Sequence, residues 1–340
     1  MSWETPSCRM ETFESSPGRL SQPYVALSYA WGDLQAPKEC IKLNGQIFEV
    51  TKTLYDFLCF FRNSLVNEET RPWIWIDQIC INQLDNSERS HTVSFMSDIY
   101  REATFVVAWL GYDLWSTRNA QRLGPLSRDG LLLLQPILNN PYFTRLWIVQ
   151  EVILAREVHF VSGHIWLPLH DLPQYRFCRA QNFLSEIPTT SLDLLSNKDN
   201  QRKQLAIDPT YQRHEDFRFS IINYCDNVCS DPRDKVYALM GFVEVEYQVP
   251  IDYSKTVEQV FHDAFQILWR DWLTDNENNL AFTAYTVLRL AKSMLPLSPY
   301  IVFVKMMRAR LRHLERKRND SDVIRYVFMF RDRYSVLTSD

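Results

Sequence analysis

The sequence predicts an α/β fold, with a doubly wound, mostly parallel sheet at about residues 1–165 and a mainly helical extension over residues 166–340. Two observations favour this class. Short apolar runs alternate with segments whose apolar residues recur at helical spacing, and parallel neighbours need a helical crossover of that kind. The strand-like runs are also almost continuously apolar, as expected when helices cover both faces of a sheet. We expect the extension to pack on this core.

The first half of the chain supplies a hairpin and several single strands. Asn44-Gly45 divides the β-prone segment Cys40–Val50 and tolerates the positive φ angles of a hairpin turn. The single strands are short apolar runs bounded by Gly, Pro or other turn formers. They are Tyr24–Tyr29, Trp73–Asp77, Thr104–Leu110 and Val158–Val161.

Helical spacing of apolar residues predicts the remaining elements. Thr53–Arg62 places four apolar side chains on one face, and a second helix is expected to begin at a cap formed by Asn86 or Ser87. Leu172–Gln212 is polar and is predicted to be irregular. The other predicted helical segments are Gly130–Leu138, Phe143–Ala155, Phe217–Phe242, Val257–Trp272 and Thr283–Lys317.

Charge and composition exclude several classes of protein. The chain has 46% hydrophobic residues, 14% aromatic residues and few glycines, which is unlike a disordered or collagen-like polymer. A net charge of -4 gives no electrostatic footprint for nucleic acid. No apolar run reaches the roughly 20 residues that span a bilayer, and the first residues do not resemble a secretory leader. We therefore expect a cytoplasmic protein without a transmembrane segment.

The seven cysteines indicate a reducing compartment. They are odd in number and scattered, whereas a disulfide framework is typical of short secreted chains. Cys225 and Cys229 are the only close pair, and no histidine pair at ligand spacing accompanies them. No metal site is expected.

Polar side chains follow the first two predicted single strands. In an open α/β sheet, ligands bind beyond the carboxyl ends of the strands, so these residues are candidate substrate-binding groups. The alternative is that Asp33 and Asp77 cap helices or close turns. The candidates are Ser28, Tyr29, Trp31 and Asp33 at or just beyond the end of the first strand, and Asp77, Gln78 and Gln83 at or just beyond the end of the second.

A second group of candidates lies on one predicted helix. Trp147 and Glu151 are four residues apart and share a face, and Arg145 stands two residues before Trp147. A carboxylate on a largely apolar helix is costly to ionise unless it is paired. Glu151 is thus a candidate catalytic carboxylate, while a satisfied ion pair with Arg145 or Arg156 is the structural alternative.

Other motifs point away from common chemistries. There is no Gly-rich phosphate loop, Walker pattern or Gly-x-Ser-x-Gly elbow. The charged turn Asp231–Lys235 is interpreted as an internal salt-bridge network that anchors the helical part to the core. The basic stretch Arg308–Arg318 could bind acidic lipid or a partner helix, with a solvated helix as the default.

Five blocks of the sequence form an ordered series. They are Tyr24-Val-Ala-Leu-Ser-Tyr-Ala-Trp-Gly-Asp33, Trp75-Ile-Asp-Gln-Ile-Cys-Ile-Asn-Gln83, Glu88-Arg-Ser-His91 with Met96-Ser-Asp-Ile-Tyr100, Trp109-Leu-Gly111 and Arg145-Leu-Trp-Ile-Val-Gln-Glu151. In this order they resemble the heterokaryon incompatibility (HET) domain family of filamentous fungi. Thr92 stands where the family usually has Gln, and Tyr142 where Trp is common. Asp231–Gly241 and Ile251–Ser254 resemble segments that commonly follow the domain.

HET domains are in turn similar to Toll/interleukin-1 receptor (TIR) domains, which have a flavodoxin-like sheet. Ala26–Tyr29 resembles the first TIR strand, and the spacing of Trp147 and Glu151 resembles the Trp-x-x-x-Glu helix whose Glu is catalytic in NAD-cleaving members. The resemblance implies a flavodoxin/TIR-like sheet and cleavage of the nicotinamide–ribose bond of NAD at Glu151. It also implies ribose or nicotinamide contacts from Asp33 or Asp77 and stacking on Trp31 or Trp147.

The resemblance leaves three functions open. In the first, an incompatibility or cell-death protein hydrolyses NAD when assembled, with NAD as substrate and no cofactor required. In the second, the core is a non-enzymatic module that self-associates or docks an NLR-type or other incompatibility partner. In the third, the scaffold serves another small-molecule reaction, since fold alone does not determine function.

Overall fold

A computed structural model describes two compact units of the chain, residues 1–213 and residues 214–340. Within them, the described residues are 5–13, 15–16, 19–20, 22–64, 72–112, 137, 139–163, 165–171, 194, 197–198, 200, 203–204, 207, 216–274 and 280–318. The predicted boundary between residues 165 and 166 stays a prediction, as does the packing of the extension on the core. The segment Leu172–Gln212 and the predicted helix Gly130–Leu138 lie mostly outside the described residues.

The described strands all belong to the first unit. They are β1 (Ser7–Cys8), β2 (Ser15–Ser16), β3 (Arg19–Leu20), β4 (Tyr24–Tyr29), β5 (Glu39–Leu43), β6 (Gln46–Val50), β7 (Trp73–Trp75), β8 (Val106–Trp109), β9 (Val158–Ser162) and β10 (Ile165–Pro168). The helices of this unit are α1 (Lys52–Ser64), α2 (Asp77–Cys80), α3 (Asn86–Ser94), α4 (Met96–Glu102) and α5 (Ile148–Ile153).

A five-stranded sheet with the order β10-β9-β8-β4-β7 forms the centre of the first unit. Strand β4 pairs in parallel with both β7 and β8, and β8 pairs in parallel with β9. Only β10 runs antiparallel, because it returns from β9 through a tight turn. The predicted α/β class with a mostly parallel sheet is confirmed.

Different helices cover the two faces of this sheet. Leu27 and Tyr29 of β4 and Trp109 of β8 point to the face where Phe57 of α1 packs. Residues between them on the same strands, such as Ser28, point to the opposite face because side chains alternate along a strand. That opposite face is covered by α4 and α5. The small side chain of Ser28 leaves room there for a polar group of α5 to approach β4.

The predicted hairpin is confirmed. Strands β5 and β6 pair antiparallel around Asn44 and Gly45, whose φ angles are 50° and 82°. Glycine adopts such angles at little cost, and Asn is one of the few other residues that tolerate them. The hairpin lies against α1, where Ile41 and Val50 join the core.

Two predicted helices differ from the observed ones. Asp85, not Asn86 or Ser87, caps α3, because its carboxylate accepts the amides of Ser87 and Glu88. This helix then breaks at Phe95 before α4 begins.

The helix predicted over Phe143–Ala155 is shorter than its apolar spacing indicates. Pro141–Thr144 forms a 3-10 turn capped by Asn140, and Arg145 is extended. The α-helix begins only at Ile148. Its start is displaced because the Arg145 guanidinium donates to the carbonyl of Tyr29, which holds this segment against the end of β4.

The second unit is helical in its described part, as predicted. Three long helices pack through apolar and aromatic side chains, including Phe265, Trp269 and Phe303. No described helix is long and apolar enough to cross a membrane. The α-helices of this unit are α6 (Phe217–Tyr224), α7 (Asp234–Tyr237), α8 (Val257–Thr274), α9 (Leu280–Met294) and α10 (Leu297–Arg318).

Candidate functional site

The candidate site lies at the carboxyl ends of β4 and β7, with α5 across one face. Ser28 and Tyr29 are the last two residues of β4, and Asp77 begins the short helix that follows β7. Because β4 and β7 are adjacent and parallel, their carboxyl ends lie side by side. Helix α5 brings Glu151 to the same place.

The inner end of the site is a chain of three buried polar side chains. The Ser28 hydroxyl donates to Oε2 of Glu151 and lies 2.6 Å from the Tyr142 hydroxyl. The hydroxyl of Ser28 has one proton and donates it to Glu151, so the Tyr142 hydroxyl is the donor in its hydrogen bond with Ser28. Glu151 is only 1% exposed, so its charge is stabilised by these hydroxyls rather than by water.

Burial raises the pKa of Glu151 to about 7. The positive charge of Arg145 and the hydrogen bond from Ser28 oppose this effect and lower the pKa. The nearby Tyr100 hydroxyl also lowers the pKa, while the charge of Asp77 raises it. A carboxyl group with a pKa near 7 has both its protonated and its ionised form populated at neutral pH, which is the property required of a general acid or base.

The outer end of the site is centred on Asp77, which is half-buried. Its Oδ2 accepts the Trp31 indole N–H at 2.8 Å, and its Oδ1 accepts the Gln78 amide at 2.7 Å. Burial raises the pKa of Asp77, against lowering by the Arg145 charge and the Trp31 bond. Asp77 thus both begins a helix and orients an aromatic ring at the mouth of the site.

Arg145 connects the two ends electrostatically. Its charge lowers the pKa of both Asp77 and Glu151. Its guanidinium is held by the carbonyl of Tyr29, at the end of β4. A single half-buried cation therefore acts on two carboxyl groups.

Most of the remaining predicted substrate-binding residues join this cluster. The Tyr29 hydroxyl donates to Gln78 Oε1 at 3.2 Å, and Gln83 Nε2 donates to the Asp77 carbonyl at 3.2 Å. Trp147 is half-buried at the start of α5. Of the predicted residues, Ser28 thus contacts Glu151, Arg145 acts on both carboxyl groups, and Trp31, Gln78 and Gln83 contact Asp77.

Asp33 is placed differently. It is exposed, and in the described part of the chain its carboxylate accepts only the amide of Gln35, two residues later. This is the turn-closing role that was the alternative for Asp33 in the sequence, and it arises because a short side chain satisfies its own backbone most easily.

Sequence reasoning missed two tyrosines of the site. Tyr100 lies on the buried face of α4, where it is indistinguishable in sequence from a core residue, yet its hydroxyl reaches the Leu27 carbonyl and acts on Glu151. Tyr142 stands where the family commonly has Trp, and that difference was the signal available in the sequence. Its hydroxyl supplies the bond to Ser28.

The arrangement is suited to chemistry on a polar, uncharged or cationic centre. It combines the Glu151 carboxyl group, whose pKa is about 7, with a second carboxyl group at Asp77 and the indole ring of Trp31. Such groups bind sugar hydroxyls and stabilise developing positive charge. Among the described residues, no group of three or more His, Cys, Asp or Glu could hold a metal ion.

Comparison with known proteins places the site within a family. The family model of the heterokaryon incompatibility protein (HET) matches residues 24–151, from the first residue of β4 to Glu151. The chain is 43% identical, over 79% of its length, to heterokaryon incompatibility protein 6, OR allele, of Neurospora crassa. The match covers 51% of that relative, so the chain spans about half its length. No solved structure matches the chain significantly. The resemblance in the sequence is thereby confirmed for residues 24–151, which match the domain of the heterokaryon incompatibility family.

Proposed function

We propose that this protein acts in fungal heterokaryon incompatibility, and that its HET domain cleaves the nicotinamide–ribose bond of NAD when the protein is assembled. The observation that carries the proposal is Glu151, a carboxyl group with a pKa of about 7 at the sheet edge where an open α/β sheet binds ligands. The names of the family and of its Neurospora relative support the incompatibility role.

The strand order supports a flavodoxin/TIR-like classification of the sheet. Numbered along the chain, β4, β7, β8 and β9 have the spatial order 2-1-3-4, which is that of flavodoxin-like sheets. Strand order reverses between β4 and β8, and ligands bind at such a point. Ser28 of β4 lies there.

The proposed reaction consumes one water for each NAD. The bond between ribose C1′ and the nicotinamide nitrogen breaks, and both bonding electrons leave with nicotinamide, which becomes neutral. Water adds to C1′ of the oxocarbenium-like centre, and its proton is released, so the products are ADP-ribose, nicotinamide and H⁺. In its ionised form Glu151 stabilises the positive charge and accepts the proton of the attacking water.

The other site residues have supporting roles in this proposal. The Ser28 and Tyr142 hydroxyls hold Glu151 in one orientation. Trp31, oriented by Asp77, provides a surface on which a flat ring can stack. Arg145 is a cation that acts on both carboxyl groups, and in this proposal it contributes positive potential toward the anionic part of a dinucleotide.

Assembly is part of the proposal because Glu151 is buried. At 1% exposure its oxygens are not open to a substrate, whereas Asp77, Trp31 and Arg145 are half-buried around it. We propose that self-association, or binding of an NLR-type or other incompatibility partner, opens the inner end of the site. The six described cysteines are free, which supports a reducing compartment such as the cytoplasm.

A non-enzymatic module is the second candidate function, and two observations favour it. Glu151 is enclosed by hydroxyl groups as a structural carboxyl would be, and Asp33 is turned into its own loop. In this alternative the polar cluster serves only to hold α5 on the sheet, and the protein acts by binding partners.

The experiment that separates these functions measures nicotinamide release from NAD by concentrated full-length protein, with and without a crowding agent that promotes oligomers. Glu151→Gln keeps the size of the side chain and removes the titrating group, and it is expected to lower the rate by about 10²–10⁴-fold. Glu49→Gln, an exposed acid on β6, is the matched control and should retain the wild-type rate.

Equal rates for wild type and Glu151→Gln, whether active or inactive under oligomer-promoting conditions, would contradict the hydrolase proposal. Partner binding that persists in Glu151→Gln without any nicotinamide release by the wild type would support the module instead.

A further inference from the structure

The short helix α5 that carries Glu151 ends against a buried lysine from a distant part of the chain. The Lys198 ammonium donates to the Ile153 carbonyl at 2.9 Å and also to the Ala155 carbonyl. Lys198 is only 3% exposed, so these carbonyls take the place of water around its charge.

Helix α5 needs such support because of its length. It has six residues, and a helix this short does not persist on its own hydrogen bonds. Its last carbonyl groups lack partners within the helix. A cation at the C-terminal end satisfies these carbonyls and also interacts favourably with the helix dipole.

Lys198 lies outside the part of the chain that matches the HET family model. The HET match ends at residue 151, inside α5, so the residue that holds the end of the helix lies well beyond the matched region. Glu151 is only two residues before Ile153, so the Lys198 contact lies close to it along α5. A shift of α5 by even a fraction of an ångström would alter the hydrogen bond between Ser28 and Glu151.

We infer that Lys198 is a positioning residue for Glu151, and that the working unit of the HET domain extends at least to residue 198. Lys198 acts by fixing the C-terminal end of α5, which determines where the Glu151 carboxyl group sits relative to Ser28. The catalytic part of this inference rests on the proposed NAD cleavage, whereas the structural part does not.

The test uses full-length protein and two substitutions at this position. Lys198→Met keeps an unbranched apolar side chain and removes all three donors, while Lys198→Arg keeps a cation and is the conservative rescue. The matched control is Lys235→Met, which removes another buried lysine that donates to a backbone carbonyl, in the second unit.

The first measurement is amide hydrogen exchange in α5, which needs no activity. The amides of Glu151 and Leu154 bond to the carbonyls of Trp147 and Gln150 at 3.4 Å and 3.0 Å. In Lys198→Met both are expected to exchange at least about tenfold faster than in wild type. Lys198→Arg and Lys235→Met should leave their exchange close to the wild-type rate. Unchanged exchange in Lys198→Met would overturn the inference.

The second measurement is the pH profile of nicotinamide release. A displaced Glu151 loses part of the Ser28 hydrogen bond that lowers its pKa, so in Lys198→Met the rising limb should move to higher pH and kcat should fall, with KM little changed. Lys198→Arg should restore both values. Faster exchange with an unaltered pH profile would overturn the positioning role, because it would show a purely structural contact.

The two proposals fail in different ways. If wild type releases no nicotinamide, the proposed function fails, and the exchange measurement still decides whether Lys198 holds α5. If wild type is active and Lys198→Met matches it in both exchange and pH profile, the proposed function stands and the inference fails.

Discussion

Two acidic side chains, Asp231 of the second unit and Glu151 of the first, are held by different kinds of partner. In the second unit, Asp231 forms an ion pair with Arg233 at 2.7 Å, and the same guanidinium donates to the carbonyls of Tyr253 and Lys255. In the first unit, Glu151 is held by hydroxyl groups. The first arrangement matches each charge with its opposite, whereas the second leaves a carboxyl group whose ionisation is costly.

The pKa values express this difference. In the second unit, burial opposes ionisation of Asp226, but the hydrogen bond and charge of Arg289 outweigh it and lower the pKa of Asp226. In the first unit, burial outweighs all opposing effects and raises the pKa of Glu151 to about 7. A guanidinium in direct contact makes an acid structural, while hydroxyl partners leave it able to titrate.

The largest expected effect concerns the pH dependence of stability. The folded pKa of Glu151 is about 7, above its ordinary value of 4.5, so the folded state binds more protons than the unfolded state between these two values. The contribution of Glu151 to the free energy of unfolding should therefore fall as pH rises from about 4.5 to about 7, by up to about 3 kcal/mol. Urea denaturation at a series of pH values should show this slope in wild type and its loss in Glu151→Gln.

The contribution of Asp226 to the free energy of unfolding should depend on pH in the opposite sense to that of Glu151. Its folded pKa is lowered, so its contribution is present above its ordinary pKa and is lost as pH falls. The effect should be small because the side chain is 63% exposed. If the free energy of unfolding of the wild type rises between pH 5 and 7 by the same amount as that of Glu151→Gln, then the pKa of Glu151 is not raised and the prediction is wrong.

The second prediction concerns the ion pair. Arg233→Met leaves the half-buried Asp231 carboxylate without its guanidinium and removes two bonds to backbone carbonyls. The free energy of unfolding of the second unit should fall by about 2 kcal/mol. The pH profile of nicotinamide release should not move, since Arg233 belongs to the structural arrangement. Urea denaturation followed by tryptophan fluorescence measures the change in stability. A shifted pH profile would contradict the assignment of Arg233 to a purely structural ion pair.

A smaller change is expected when a hydroxyl partner is removed from Glu151. Ser28→Ala abolishes the hydrogen bond that favours the ionised form, so the pKa of Glu151 should rise by about one unit. A carbonyl stretch assigned to Glu151 by its disappearance in Glu151→Gln would follow this titration by infrared spectroscopy. Tyr142→Phe should shift the same signal in the same direction but by less, because Tyr142 acts through Ser28. A lowered pKa in either variant would refute the hydroxyl chain as described.

The smallest effect is expected at Asp33. Asp33→Ala removes one exposed hydrogen bond to the Gln35 amide, so stability should change by less than about 0.5 kcal/mol. Nicotinamide release should be unaffected, in contrast to Asp77→Ala, which also frees the Trp31 ring. Thermal unfolding and the release assay check both statements. A large loss of activity in Asp33→Ala would restore it to the site.

The charged turn illustrates how far local sequence reasoning extends. The internal ion pair predicted for Asp231–Lys235 is confirmed, because Asp231 and Arg233 are two residues apart and meet within one turn. Its proposed anchoring to the core stays a prediction.

The predicted cap of α3 was wrong by at least one residue. Asp, Asn and Ser all cap helices, and three such residues stand in a row at Asp85, Asn86 and Ser87. Local sequence therefore does not distinguish which of them forms the cap.

The site was predictable in part. Strand ends were visible as the points where apolar runs stop, so the residues at the edge of the sheet followed from the parallel pairing of β4 and β7. The partners of Glu151 were less accessible. Arg145 was a candidate for a direct ion pair, yet in the structure it is also held by the Tyr29 carbonyl, and Ser28 and Tyr142 supply the hydroxyl chain.

What the amino-acid sequence by itself determined is local: the strand Tyr24–Tyr29, the hairpin at Asn44-Gly45, the long helices of the second unit, and the residue types that follow each strand. Side-chain periodicity and turn chemistry act over a few residues, and a sequence displays them directly. The tertiary structure alone decided which carboxyl group is buried, and what faces it. Ser28 and Glu151 are 123 residues apart, and Lys198 reaches α5 from 45 residues away. The pKa of Glu151 depends on such distant neighbours and on the exclusion of water, and no local pattern records either.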